Sequence, residues 1–132
     1  MRLLLSFGFL FSFSCLAQKL SPEDEIARRW IREGRAGAAA AFLDASVLVS
    51  ELRSAEERVR LLLLSAVAHG ESGTFETAYR RVREAEDLLE SPGFLSRFGH
   101  NERARDRVRA SLELVLHDIR GAQAQVLGEV PR

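Results

Sequence analysis

An all-α fold follows from three features of this 132-residue sequence. Apolar residues recur at three- and four-residue spacing along most of the chain. Helix-start chemistry stands at Ser21-Pro22-Glu23-Asp24 and again at Ser54-Ala55-Glu56-Glu57. No polar/apolar alternation bounded by turn residues marks a strand. Amphipathic helices joined by short turns bury their apolar stripes by folding back on one another, which predicts antiparallel helical hairpins.

The first helix takes Ser21 as N-cap and Pro22 at its first position, where the missing N–H costs nothing. Glu23 and Asp24 suit the positive end of the helix dipole. Ile26, Ala27, Trp30 and Ile31 share one face, and the helix reaches Gly34. After a tight connection at 35–37, a second helix is expected over about 38–52. Its spacing puts Ala38, Ala41, Ala45, Leu48 and Leu52 inward, with Phe42, Val47 and Val49 widening that face.

Ser54 and Glu57 have the spacing of a capping box, so a third helix starts there. It carries Val59, Leu61 to Leu64, Ala66, Val67 and Ala68 before ending among Gly70 to Gly73. After Thr74 a fourth helix turns Phe75, Ala78, Val82, Ala85 and Leu89 inward. Its Arg80, Arg81, Arg83, Glu84, Glu86 and Asp87 mostly meet solvent, and Ser91-Pro92-Gly93 stops it. Residues 93–100 form a connector in which Phe94, Leu95 and Phe98 could cover the core. A last helix, over about 101–127, aligns Ala104, Val108, Leu112, Val115, Ile119, Ala122 and Val126.

The start of the chain reads differently. Met1-Arg2 is a short positive region, 3–13 is apolar apart from Ser6, Gly8 and Ser12, and Ser14-Cys15-Leu16-Ala17 offers small residues for cleavage. This reads as a secretory signal peptide, from which an exported protein, periplasmic or secreted, is expected. The run is shorter than the roughly 20 apolar residues a membrane-spanning helix needs. Cleavage after Ala17 leaves 18–132 as one helical domain and discards Cys15, the only cysteine. The alternative resembles a bacterial lipoprotein signal, in which Cys15 is acylated and anchors the chain in the envelope; Ser12 departs from that motif, which wants an aliphatic residue three places before the cysteine.

Charge gives no direction toward nucleic acid or anionic lipid, because 19 basic side chains face 19 acidic ones and the leader removes only Arg2. His69, His100 and His117 lack metal-ligand spacing, and no cofactor is implied. Ser65, Ser72 and Ser111 stand in no nucleophile elbow, and the adjacent His117 and Asp118 lack a third partner. The pattern therefore predicts no enzyme. A hydrolase or metal site would need the histidines to converge with carboxylates.

A repeat is visible at an offset of 39 residues: Ala27 to Ser46 matches Ala66 to Ala85 without a gap. Small residues coincide at Ala27/Ala66, Gly34/Gly73, Ala39/Ala78 and Ser46/Ala85, and larger ones at Trp30/His69 and Leu43/Val82. The units, about 22–52 and 54–92, resemble the tetratricopeptide repeat, a helix-turn-helix unit with small residues where its helices cross. The period is longer than that family's 34, Pro92 comes late, and His69 stands where a Tyr is usual. The resemblance implies a right-handed solenoid fragment that binds a protein or peptide, or self-associates, through the first helix of each unit. By register that face holds Arg28, Ile31, Arg32, Arg60, Leu63, Val67 and Glu71. A small helical bundle enclosing an apolar small molecule or lipid is the alternative expectation.

Overall fold

The computed structural model describes residues 22–50, 54–92 and 102–128, apart from the side chains of Glu102 and Ala104. Among the described residues five helices follow one another: α1 (Pro22–Arg32), α2 (Ala36–Leu48), α3 (Ala55–Ser72), α4 (Phe75–Leu89) and α5 (Glu102–Val126). No strand occurs among the described residues. The fold is an all-α bundle, as the periodicity predicts. The expected cap at Ser21, the residue Leu52 and the connector 93–100 lie outside the described residues, as do Cys15 and the whole leader.

Local chemistry sets the helix ends. At α3, the Ser54 hydroxyl accepts from the Glu57 amide at 3.2 Å, half of the capping box. Both hairpins turn through a glycine with positive φ, Gly34 at 80° and Gly73 at 88°. A side chain there would be strained, so both turns use the one residue without a Cβ. Only Gly73 and Thr74 separate α3 from α4, which sends α4 back along α3.

The central element is α3, which packs against all four other helices. Its residues from Leu61 to Gly70 are all buried. Around them close Ala27 and Ile31 of α1, Leu43 of α2, Val82 and Leu89 of α4, and Leu112, Val115 and Ile119 of α5. At about 1.5–3 kcal/mol for each fully buried large aliphatic side chain, this layer dominates the stability of the fold. Tyr79 adds a directional tie by donating to Gln123 Oε1 at 2.8 Å, which links α4 to α5.

Helix α2 departs from expectation. It starts at Ala36 and ends at Leu48, and it buries Ala39, Ala40, Leu43 and Ser46. Ala38, Ala41 and Ala45 are exposed instead, and Leu48 keeps 79% of its surface and Val49 66%. The reason is compositional: Ala36-Gly-Ala-Ala-Ala-Ala-Phe-Leu is apolar all round, so spacing alone does not mark a face. Larger groups decide. Leu43 fills the core, and Phe42 meets the Trp30 ring edge-on at 5.5 Å. On α5, Val126 is likewise exposed.

Candidate functional site

The residues expected on a partner-binding face fall into two groups. Ile31, Leu63 and Val67 are buried in the core, and Arg28 is buried beside them. Arg32 is exposed, while Arg60 and Glu71 are partly so. Asp24, fully buried in the first turn of α1, pairs with Arg60 Nε at 2.8 Å. Burial pushes the Arg28 guanidinium below its usual range; Asp24 opposes this, and the charges of Arg60 and Arg32 add to it. Arg28 and Arg60 thus share the Asp24 carboxylate between α1 and α3. Glu71 sits near Asp118 of α5, whose carboxyl is raised to about 6 by burial and then by the Glu71 charge, with His117 pulling the other way.

A polar network that the sequence does not announce joins α2, α3 and α4. Its centre is Asp44 of α2. Oδ1 accepts from Ser65 Oγ at 2.9 Å and from Arg81 Nη2 at 3.1 Å, and Oδ2 lies 2.9 Å from His69 Nε2. Burial pushes the Asp44 carboxyl up, but the Ser65 and His69 hydrogen bonds and the nearby His69 and Arg81 charges outweigh it and hold it below the ordinary range. It therefore stays an ionised acceptor. Arg81, expected in solvent, is largely covered and also pairs with Glu84 at 3.0 Å.

On its other side the His69 ring meets the α3–α4 turn. Nδ1 lies 2.7 Å from Thr74 Oγ1, which is also 3.1 Å from the His69 carbonyl oxygen and 3.0 Å from Ser72 Oγ. With Nε2–H donating to Asp44, a neutral ring presents Nδ1 as the acceptor. His117 is exposed on α5, and His100 lies outside the described residues. No group of three or more His, Cys, Asp or Glu able to hold a metal ion occurs among the described residues.

An open groove of about 390 Å³ lies where α2 ends, α3 begins and α4 ends. Val47, Leu62 and Leu88 give it an apolar lining, and Arg58, Glu84 and Asp87 supply charge. The Arg58 Nε is buried and has no hydrogen-bond partner among the described residues. Next along the chain from Val47 stand the exposed Leu48 and Val49. Sequence spacing assigned these two to the core, which concealed the groove. Among the described residues no helix is long and apolar enough to cross a membrane. Compared with protein-family models, curated proteins and solved structures, the chain matches none.

Proposed function

We propose that the protein is an exported helical scaffold that binds a protein or peptide partner in the cell envelope, with binding rather than catalysis as its task. The observation that carries this reading is the groove among α2, α3 and α4. It combines an apolar lining with a buried Arg58 donor that has no hydrogen-bond partner among the described residues, and the two exposed apolar side chains Leu48 and Val49 follow its lining residue Val47 along the chain. Contiguous exposed apolar surface with a polar rim is the usual character of a protein-binding patch. The open shape and charged walls suit a peptide segment better than an enclosed apolar ligand.

The repeat supports the same reading. Ala27 and Ala66, Ala39 and Ala78, Leu43 and Val82, and Ser46 and Ala85 are buried in both hairpins. Repeat units of this kind present extended surfaces for partners, and two units leave an end that a partner or second copy can cover. The leader directs the scaffold outward, by cleavage after Ala17 or by acylation of Cys15.

The test places a photo-crosslinking residue at position 49 in the native host. Irradiation is expected to give a discrete cross-linked species in the envelope fraction that disappears in Leu48→Asp. A probe at Leu114, also exposed but on α5, is expected to give none. No adduct at 49, or equal capture at 114, overturns the reading.

A further inference from the structure

We propose that Thr74 is an acyl-acceptor site, its hydroxyl activated as a nucleophile by His69 and Asp44, and that it takes an acyl group from an activated ester or thioester. This goes beyond the binding reading and does not depend on it. Three observations converge. Thr74 is exposed, so a reagent can reach it. Its Oγ1 stands 2.7 Å from His69 Nδ1, and the opposite ring nitrogen is 2.9 Å from Asp44 Oδ2. The order hydroxyl, imidazole, carboxylate is the one that activates an alcohol: the carboxylate fixes the tautomer, and the free ring nitrogen accepts the hydroxyl proton. Thr74 is also the N-cap of α4, yet its side chain makes no cap hydrogen bond to that helix; its Oγ1 instead stands 3.1 Å from the His69 carbonyl oxygen and 2.7 Å from the ring. An N-cap threonine ordinarily gives its oxygen to a first-turn amide; here that oxygen is turned to the imidazole.

The amides of the first turn of a helix have no intrahelical partner, and the positive end of its dipole favours an oxyanion forming nearby. In the step, Thr74 Oγ1 bonds to the acyl carbon as its proton passes to His69 Nδ1. The tetrahedral intermediate then breaks its bond to the leaving alcohol or thiol, which takes that proton away. Thr74 ends as an ester and the imidazole as it began, with no oxidant or further reactant consumed. Asp44 acts only through His69 and is a positioning residue. Ser65 donates its own hydroxyl proton to Asp44 Oδ1.

The full chain is treated with p-nitrophenyl acetate, and acetylated positions are read by peptide mass mapping over time and pH. Ser72 is the internal control, a less hindered primary hydroxyl, exposed and 3.0 Å from Thr74 Oγ1. Thr74 is expected to acetylate at least about tenfold faster than Ser72, a modest share of what a positioned base supplies. Its rate should rise with pH through one deprotonation. His69→Gln should bring Thr74 down to the Ser72 rate and remove that pH dependence, Asp44→Asn should slow it, and Thr74→Ser should react at least as fast as the wild type. Absence of acetyl at Thr74, or equal rates at Thr74 and Ser72 in the wild type, overturns the proposal even if the His69 variant does not fold. Thr74 labelling unchanged in a folded His69→Gln protein overturns it as well.

Discussion

Two carboxylates, Asp44 and Asp118, are shifted in opposite directions by their surroundings, and stability should follow pH accordingly. Asp44 is held below the ordinary 3.8, so its contribution is present above that value and is lost as pH falls through the folded-state value. Asp118 is raised to about 6, so its contribution is full below 3.8 and is lost as pH rises through about 6. Urea midpoints across this range test both. Asp118→Asn should remove a decline in stability between the ordinary carboxylate value of 3.8 and about 6. Asp44→Asn should lower the midpoint at neutral pH and lose that effect in acid. The Ser54 cap was legible in the sequence because its partner is 3 residues away. The Asp44 network was not, since Ser65, His69 and Arg81 lie 21, 25 and 37 residues along the chain. Local rules reach one helical turn; a network among three helices exists only after they pack.

Helix α2 shows what periodicity can and cannot decide for an element. Its existence was legible, but its buried face was not, because a run of alanines fits several faces equally well. The offset of 39 residues marked that face better, since Ala39, Leu43 and Ser46 align with the inward Ala78, Val82 and Ala85 of the more amphipathic α4. A pair of substitutions separates the two faces. Leu43, without exposed surface, should cost about 2–5 kcal/mol when cut to alanine. Leu48, exposed, should change stability by no more than about 0.5 kcal/mol. Denaturant midpoints in the reverse order would restore the face that spacing predicts. The part of α2 that lines the groove is Val47, and the exposed Leu48 follows it directly along the chain.

For the molecule as a whole, the class and the order of helices were legible because every amphipathic helix needs a neighbour, and short turns leave few ways to supply one. What the sequence showed less plainly is the rank of α3, whose run Leu61-Leu-Leu-Leu64 reads as a richly apolar face and proves to be covered on every side. That enclosure has a kinetic meaning. A helix at the rim can fray while the rest persists, but α3 can be wetted only when its four neighbours let go together. Amide hydrogens from Leu61 to Ala68 should therefore exchange with deuterium only through complete unfolding, tracking denaturant as the global transition does. Those of α1 and the far end of α5 should exchange sooner, through partial openings. Uniform exchange along all five helices would mean that the molecule opens as a single unit. A graded pattern would make α3 the last part of the chain to meet water and the first to be sealed from it.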